Sequence, residues 1–512
     1  MQMSTSLGDI TKAANLSVED AETLTRLIAL WQNKRGRNLL RSDFYHMHVN
    51  PDNIGIAIKD EADLKAKLVT ACGWARKAVD MPAERSVLDA FLLEGGVEST
   101  TLNRIVSDNR LIQKYQMGVT SECIHSFVCW TLSRNKVGRS NVSIKLHSAE
   151  TSAVEWDGEH ERVRDGMAII ATRPRSSVDT SEVPCIVNLY TVENTVVLTL
   201  NPDNIHWTAT YHKNKMGRPL IEAMAYKPTL KRPFGQSRIT RSVMSLVINK
   251  IREDMRTELS AEFFTAPQKY LLGADDEAFD MDRYQAYIGN IFLTSKDEDG
   301  DVPTFGQLPQ GSMQPHVDYT RQLAASFAGE TGIPIHSLGI VQDNPSSAEA
   351  LHAAERDLVQ IAETINKHNA ESLRNVMLMA QAIDKGIGVS IDQLDDDEYS
   401  VIADFADPSM PDVVAQADAW QKLATAAPWI AETEEFLEGV GIPRAKRMRM
   451  LNQKRRIQGR SFMEQEDNGD DTSSLSQALP AGAGGGEATS RRVSVSGAIG
   501  GDAPQDDGGI IA

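Results

Sequence analysis

Cys123, His125 and Cys129 lie within one short stretch of the sequence, and their side chains are of the types that bind zinc. We predict that this stretch is helical. Successive residues of a helix are turned by about 100°, so the two sulfur atoms would not share a face. The spacing therefore favours buried cysteines on an amphipathic helix over a metal site. His46 and His48 could share one face of a strand, but no third ligand lies nearby.

The carboxylates form clusters without the spacing of a known catalytic motif. Asp395–Glu398 is an acidic run that resembles a cation site only in composition, and we predict a solvated turn before a strand. His352 and Glu355, one helical turn apart, are predicted to be surface or subunit contacts. Neither a Gly-x-x-x-x-Gly-Lys-Ser/Thr loop nor a Gly-x-Ser-x-Gly elbow is present. The residues therefore predict no enzyme, no metal and no cofactor.

A strongly basic stretch lies between Arg444 and Arg460 and contains no carboxylate. The residues interpreted as a patch are Arg444, Lys446, Arg447, Arg449, Lys454, Arg455 and Arg456. Such a run fits contact with nucleic acid. It fits equally the solvated end of a helix, with its cations near the negative end of the helix dipole. The sequence leaves both interpretations open.

The composition excludes several classes of protein. The chain has 512 residues, with 53 Lys and Arg against 71 Asp and Glu, and a net charge of −18. This charge opposes nucleic-acid binding through bulk attraction, which needs Lys and Arg to displace counterions. Four scattered cysteines predict no disulfide framework and favour a reducing compartment. No apolar run reaches the ~20 residues of a membrane-spanning helix, and the start lacks the pattern of a secretory signal.

The first half of the chain is predicted to be α+β. Helices are predicted at Ser17–Trp31, with a capping-box-like start at Ser17 and Asp20, at about Glu61–Val79, and between Leu102 and Cys129. Short runs rich in β-branched and aromatic residues begin at Val142, Val187, Val196 and His206, and they predict strands. A break at Lys231–Gly235 ends this region.

The second half is predicted to be mostly helical. A helix over about Ser237–Phe264 has apolar residues at every fourth position, so its apolar stripe winds around the helix. This pattern predicts either a series of packing neighbours or a curved helix. An acidic excursion at 268–317 follows, with short strands at Tyr270 and Asn290, and then a helix over about Asp318–Thr331. Ser346 and Glu349 form a capping box that opens a helix to about Asp384, about 55 Å long. The remaining predictions are a strand at Tyr399–Phe405, helices at Val413–Ala426 and about Ile430–Val440, and a disordered tail at 461–512.

An ordered series of landmarks between Tyr226 and about Glu363 resembles the portal proteins of tailed double-stranded DNA bacteriophages. The landmarks are Lys231-Arg-Pro-Phe-Gly-Gln-Ser-Arg-Ile-Thr-Arg241, Glu258-Leu-Ser-Ala-Glu-Phe-Phe-Thr-Ala-Pro-Gln-Lys-Tyr270, Phe305-Gly-Gln-Leu-Pro-Gln310, Pro315-His316, Phe327-Ala-Gly-Glu-Thr-Gly-Ile-Pro334, Leu338-Gly339 and Asn344-Pro-Ser-Ser-Ala-Glu-Ala350. None is specific alone, and the resemblance rests on their order and spacing. The N-terminal third and the tail resemble the family only in their general character and contain none of these landmarks.

The resemblance implies a protomer of a dodecameric ring at one vertex of the capsid. In this plan, residues 1–235 form an α+β wing, 236–264 the first stem helix, 265–317 the clip, 318–332 the second stem helix, 333–345 the tunnel loop, 346–385 the long spine helix, 386–411 a returning wing strand, 412–460 the crown and 461–512 the tail. The implied location is the virion, with the host cytoplasm during assembly and no membrane.

The resemblance also implies where DNA and partner proteins would be met. The tunnel loop would touch passing double-stranded DNA non-specifically through Val341, Gln342, Asp343 and Asn344, although these residues could merely close a turn between helices. The clip would meet the terminase large subunit during packaging and the head–tail adaptor afterwards, through residues such as Asp297, Glu298, Asp299 and Asp301. The major capsid protein is a further implied partner.

Two other classes of protein are alternatives to a portal protein. Another virion structural protein, such as a capsid or tail-tube subunit, would share the absence of catalytic motifs but would not carry a helix–clip–helix insert. A metal-dependent nuclease would use the acidic clusters and would show metal-dependent turnover as a monomer.

Overall fold

The computed structural model describes residues 7, 9–49, 71–135, 139–175, 179, 181–265, 269–272, 304–307, 311–340, 348–386, 388–409, 413–442 and 444–467. The chain divides into two compact units, Met1–Met410 and Pro411–Ala512. Helices and short sheets both build the first unit, and the elements described in the second are helices. The predicted fold class, α+β and mostly helical, is confirmed.

The α-helices are α1 (Val18–Tyr45), α2 (Trp74–Arg85), α3 (Thr100–Asn109), α4 (Leu111–His125), α5 (Arg241–Thr265), α6 (Gln314–Thr331), α7 (Ala348–Lys385), α8 (Asp396–Tyr399), α9 (Val413–Ala426), α10 (Glu434–Gly439) and α11 (Arg444–Asp467). Short 3-10 helices cover Ile10–Lys12, Ile335–Leu338, Ile391–Gln393 and Pro428–Glu432. The strands are β1 (Leu88–Leu92), β2 (Phe127–Arg134), β3 (Val142–Ser148), β4 (Ser152–Asp157), β5 (Arg162–Pro174), β6 (Glu182–Tyr190), β7 (Asn194–Leu200), β8 (Trp207–Lys213), β9 (Ile221–Ala225), β10 (Lys269–Leu272), β11 (Thr304–Gln307) and β12 (Ile402–Phe405).

A five-stranded antiparallel sheet, in the order β4-β5-β6-β7-β8, packs against α1. Side chains of a strand alternate between the two faces of a sheet, and Val196 and Leu198 of β7 accordingly lie buried in one core with Leu27 and Trp31 of α1. The strands predicted from the β-rich runs at Val142, Val187, Val196 and His206 are confirmed as β3, β6, β7 and β8.

The helix α1 begins as predicted and runs further. The Ser17 hydroxyl accepts a hydrogen bond from the backbone N–H of Asp20 at 3.1 Å, which satisfies one of the free donors of the first turn. The helix continues past the predicted end at Trp31 because Asn38 and Phe44 are also buried, and the Asn38 side chain donates to the Ala149 carbonyl at 3.1 Å. Tertiary contacts therefore extend a helix whose polar second half showed no clear apolar period.

The helical structure predicted between Leu102 and Cys129 is confirmed, but it does not extend to Cys129. It is divided into α3 and α4, and α4 ends at His125 because Ser126 adopts a φ of 94° that no helix continues. Cys123 lies on α4 and Cys129 on β2, the central strand of the sheet β3-β2-β9. Both cysteines are buried, as predicted, and burial raises the pKa of Cys129 to about 12.

The long helix α7 lies at the centre of the larger core. Its bounds confirm the predicted helix to Asp384, whereas the capping serine, Ser346, lies outside the described residues. Every residue from 376 to 384 is buried, and the helix packs against α2, β2, β9 and β12. The strand β12, predicted as Tyr399–Phe405, pairs antiparallel with β1 and so joins a late segment to an early one.

A buried polar network connects α4 to α7. The amide of Asn369 donates to the Glu122 carboxylate at 3.1 Å and lies 3.3 Å from the hydroxyl of Tyr115. Ser86 lies 2.6 Å from the same hydroxyl and donates to Asn366 at 2.6 Å. Because burial disfavours a charged carboxylate, it raises the pKa of Glu122 to about 8.

In the second unit, α9 has the predicted bounds, whereas the predicted helix at about Ile430–Val440 is interrupted. A 3-10 helix ends at Glu432, and Thr433 then caps α10 by accepting from the backbone N–H of Phe436 at 3.3 Å. The Thr433 hydroxyl thus takes the place of a backbone acceptor, which interrupts the predicted helix and begins a new one.

Candidate functional site at the helical hairpin

The helices α5 and α6 form a hairpin whose inner face is apolar. Val243, Val247, Ile251 and Met255 repeat every fourth residue on α5 and are all buried, as the winding stripe predicted. On α6, the buried residues are Leu323, Ala324, Phe327 and Thr331. The Phe327 ring lies 5.2 Å from the ring of Trp74 on α2, so the hairpin also packs against the main core.

Both helix starts differ from the prediction. The helix α5 begins at Arg241, four residues later than Ser237, because the Thr240 hydroxyl accepts from the backbone N–H of Val243 at 3.2 Å and caps the helix there. The helix α6 begins at Gln314, four residues before Asp318, with a proline in its first turn, where the missing N–H costs nothing.

Arg238 ties the base of the hairpin together. Its guanidinium is buried and donates to the carbonyl of Ala78 at 2.5 Å, to the hydroxyl of Tyr226 at 2.7 Å and to the carbonyl of Thr331 at 2.7 Å. One side chain thus joins the segment before α5, the last residue of α6 and the helix α2. A buried guanidinium requires such partners, because an unpaired charge in the interior is costly.

A second polar cluster joins the two helices further along the hairpin. His316 of α6 contacts the buried carboxylate of Glu253 at 2.6 Å and the hydroxyl of Ser260 at 3.1 Å, both on α5. Arg256 adds an ion pair to Glu253 at 3.4 Å. Since the hairpin is held by polar contacts at both places and by apolar packing between them, its two helices are fixed in register.

The turn after α6 leads toward the predicted tunnel loop. Gly332 has a φ of +70°, and a Cβ at this position would lie 2.8 Å from Cδ1 of Ile361 on α7, so both conformation and space require glycine. The Lys77 ammonium donates to the carbonyl of Ser337 in the following 3-10 helix. The chain is therefore held in place up to Ile340, the last described residue before the loop.

The predicted tunnel-loop residues Val341, Gln342, Asp343 and Asn344 lie outside the described residues, and so do the clip residues Asp297, Glu298, Asp299 and Asp301. Within the predicted clip, the structure describes β10 and β11, which pair antiparallel with Lys269 opposite Gln307. The strand expected at Tyr270 is confirmed as part of β10. The strand expected at Asn290 lies outside the described residues.

The basic stretch forms the first part of α11 and is partly neutralised. Arg447 is buried and pairs with Glu438 at 3.1 Å, and Lys454 pairs with Glu432 at 3.2 Å. Arg444 begins the helix, and Lys446, Arg449, Arg455 and Arg456 are exposed. The helix-end interpretation is wrong, because the cations lie at the N-terminal half of α11, where the dipole is positive.

The other candidate residues have structural roles where they are described. Asp395 and Glu398 form a capping box that opens α8, and both pair with Lys385, at 3.1 and 2.5 Å. Glu355 pairs with Arg85 at 2.8 Å. The rings of His46 and His48 lie 6.0 Å apart just after α1 and not on a strand; the His352 side chain lies outside the described set. Across the described parts of the chain, no three His, Cys, Asp or Glu residues are grouped to hold a metal.

Ser42, His125 and Glu150 meet in a cluster that sequence reasoning missed, and its geometry differs from that of a hydrolase. In a catalytic triad, the hydroxyl and the carboxylate contact opposite nitrogens of the imidazole. Here, Ser42 and Glu150 both lie at Nε2, at 2.9 and 3.3 Å, and Ser42 donates to Glu150 at 2.5 Å. Hydrogen bonds from His125 and Ser42 lower the pKa of Glu150. The hydroxyl proton therefore points to the carboxylate, and the cluster is a structural junction.

Arg238 and His316, which hold the hairpin, were present in the sequence only as unassigned members of landmark motifs. Their role could not be found from spacing, because their partners lie far away in the chain. Along the helices that the structure describes, none combines the length and apolar character needed to cross a bilayer.

Comparison with known proteins adds an independent observation. Residues 24–434 match the family model described as phage portal protein, SPP1 Gp6-like. The chain is 25% identical over 396 residues to the portal protein of Mycobacterium phage L5, covering 75% of this chain and 77% of the relative. It is also 25% identical over 430 residues to the portal protein of Mycobacterium phage D29, covering 82% and 85%.

The similarity to solved structures is weaker. The neck of a native gene transfer agent particle, computed with C12 symmetry, has a TM-score of 0.39 and 12% identity and covers 72% of this chain and 90% of its own. The virion of a native gene transfer agent particle has a TM-score of 0.38 and 12% identity, with 79% and 93% covered.

Proposed function

The chain belongs to the SPP1 Gp6-like family of phage portal proteins, and on that premise we propose that identical copies form a dodecameric ring at one capsid vertex. The ring is the channel through which double-stranded DNA enters the capsid during packaging and leaves it during ejection. The family is structural, and the alternative of a capsid or tail-tube subunit is not the family that matches. The location that follows for the protein is the virion, after assembly in the host cytoplasm.

The observation that carries this proposal is the braced hairpin of α5 and α6. Arg238 holds its base, and the cluster around His316 and Glu253 holds the helices further along, so the hairpin can act as a fixed stem element. Its two helices contain five Lys and Arg against six Asp and Glu, and are therefore close to neutral. A wall without excess cations would not hold DNA through counterion release, so a duplex can slide along it.

The remaining segments take the roles that the family plan gives them. The loop at 341–344 touches the passing duplex sterically and reads no base sequence. The acidic clip at 265–317 docks the terminase large subunit and later the head–tail adaptor, and its charge favours a basic partner surface. The crown at 412–460 faces packaged DNA, and the major capsid protein is a further partner of the ring.

Ring formation is tested by negative-stain microscopy of the purified protein. We expect end-on rings with a central hole. A population of monomers at micromolar concentration, with no rings after addition of the capsid protein, would refute the proposal.

The loop assignment is tested separately with Asp343→Lys in a DNA-packaging assay. We expect slower or stalled packaging, because a cation in the channel attracts the duplex. The matched control is Glu84→Lys, which makes the same charge change at an exposed position of α2. An unchanged packaging rate with unchanged salt sensitivity would refute the loop assignment and leave ring assembly untouched.

A second role is proposed for the exposed cations of α11. Lys446, Arg449, Arg455 and Arg456 are free of the ion pairs that neutralise Arg447 and Lys454 in the described residues, so they can contact packaged DNA. Replacing all four by Gln should reduce the amount of DNA retained in filled heads. Equal retention, measured by DNA content per particle, contradicts this role.

A further inference from the structure

A cavity of about 600 Å³ lies between α1, the five-stranded sheet and the loop 231–236. Its cationic lining residues are Lys34, Arg37, Arg41, Arg164, Lys231 and Arg232, and its acidic lining residue is Glu155. A second cavity, of about 430 Å³, shares Arg37, Arg41, Arg232 and Gln236 with the first and adds Arg241. We call the two together the basic groove. In a chain with a net charge of −18, this concentration of positive charge is unusual.

The carboxylate that lines the groove does not neutralise the groove's positive charge. Glu155 is occupied by Arg26 at 3.4 Å and by Arg164. In the described part of the chain, the exposed side chains of Lys34, Arg37, Lys231 and Arg232 have no carboxylate partner.

Arg41 lies deeper in the same groove, and the neighbouring cations affect its pKa. Its guanidinium donates to the carbonyl of His125 at 3.2 Å and to the side chain of Asn38 at 3.3 Å, both neutral acceptors. Burial, followed by the neighbouring charges of Arg37 and Arg232, lowers the pKa of Arg41. A carboxylate arriving between these three residues would remove like-charge repulsion as well as form charge-assisted hydrogen bonds.

One wall of the groove is aromatic, and its geometry disfavours a nucleobase as ligand. The rings of Trp156 and Phe234 meet edge to face at 5.8 Å, and Phe127 lies 5.6 Å from Phe234. Because these rings already contact one another, little of their surface is free for a base to stack on. Proteins that bind single-stranded nucleic acid depend on such stacking. Trp156 still has 38% of its surface exposed, which suits contact with one apolar side chain.

The dimensions of the groove fit a short extended peptide. It follows α1 from Leu30 to Arg41, a distance of about 16 Å at 1.5 Å per residue. An extended chain rises about 3.3 Å per residue, so about five residues would fill it. Arginine is the residue best suited to bidentate pairing with carboxylates.

We propose that the basic groove binds an extended acidic segment of a partner polypeptide, with carboxylates at Arg37, Arg41 and Arg232 and an apolar side chain against Trp156. The groove reaches the first residue of α5 at Arg241, but the proposed contacts are made by α1, β4 and the loop 231–236, and they do not require that the ring assignment be correct.

The proposal is tested by fluorescence anisotropy with fluorescein-labelled hexaglutamate as probe. We expect saturable binding that weakens at least tenfold between 50 and 500 mM NaCl, because screening shortens the range of the groove's field. The double variant Arg37→Glu/Arg232→Glu should weaken it at least tenfold. Both residues are exposed and unpaired in the described chain, so this variant keeps its fold, which circular dichroism verifies.

The matched control is Lys145→Glu/Lys213→Glu, which makes the same charge change at exposed positions outside the groove. It should bind the probe nearly as well as the unmodified chain. Equal loss in both double variants would show only an effect of net charge and would overturn the proposal. Tighter binding of a twelve-nucleotide poly(dT) than of hexaglutamate, lost in Arg37→Glu/Arg232→Glu, would overturn it in favour of nucleic acid. No binding of hexaglutamate at 50 mM NaCl would also overturn it.

Discussion

Replacing Glu122 by Gln should remove a pH dependence of stability that the fold builds into its main core. Glu122 is completely buried, and one of its carboxylate oxygens has no hydrogen-bond partner. The side-chain oxygen of Asn369 is also without a partner, so a proton on the carboxyl group would supply the donor that this site lacks. The pKa of Glu122 is raised from 4.5 to about 8 by burial.

The sign of the effect follows from proton binding. Between pH 4.5 and about 8, the folded chain holds a proton on Glu122 that the unfolded chain has released. The stabilising contribution of Glu122 to the free energy of unfolding is therefore fully present below pH 4.5. It decreases as the pH rises through this window and is absent above about pH 8. At about 1.4 kcal/mol per pH unit, the contribution lost between pH 5 and pH 8 is on the order of 4 kcal/mol.

Urea unfolding of the unmodified chain and of Glu122→Gln at pH 5, 6, 7 and 8 measures this contribution. Gln is a neutral isostere of the protonated acid, so the two proteins should have similar stability at pH 5, and the variant should be more stable at pH 8. Glu84→Gln, at an exposed position of α2, is the control and should track the unmodified chain at every pH. If the difference in unfolding free energy between Glu122→Gln and the unmodified chain is constant from pH 5 to pH 8, Glu122 is not the source of a pH-dependent stability.

Three further substitutions test the packing around the hairpin and α8. Arg238→Met removes three buried hydrogen bonds and should lower the free energy of unfolding by about 3 kcal/mol in urea titrations, whereas the exposed Arg241→Met should change it by less than about 0.5 kcal/mol. Gly235→Ala should lower the thermal midpoint well below that of Gly217→Ala: both have positive φ, but only at 235 would the new Cβ lie 2.1 Å from a carbonyl oxygen. Equal midpoints would contradict this. Asp395→Ala removes the cap of α8, worth about 1 kcal/mol, and should speed hydrogen exchange at 396–399; unchanged exchange rates would show that the cap does not hold that turn.

Local patterns in the sequence were sufficient for many of the elements. The apolar repeat of α5, the capping serine of α1 and the β-rich runs at Val187 and Val196 each depend on near neighbours, so they predict structure reliably. Where a helix boundary depended on distant contacts, as at Phe44 in α1 or at Ser126 after α4, the sequence placed it wrongly. The landmark series indicated the portal family through its order and spacing. Order and spacing are properties of the linear sequence, so no structure was needed to find them.

The amino-acid sequence alone was thus sufficient to predict most of the elements, their order, the family that they resemble and the absence of recognised catalytic motifs. Only the tertiary structure shows that Arg238 contacts the end of α6 and that His316 contacts Glu253. It also shows that the cationic side chains of α1 lie beside Arg232. These juxtapositions join residues that are tens to hundreds of positions apart, and the energy of a buried hydrogen bond or of a shared electrostatic field depends on distance in space. Spacing along a chain carries no such distance, so the bracing of the hairpin and the basic groove became visible only in the folded protein.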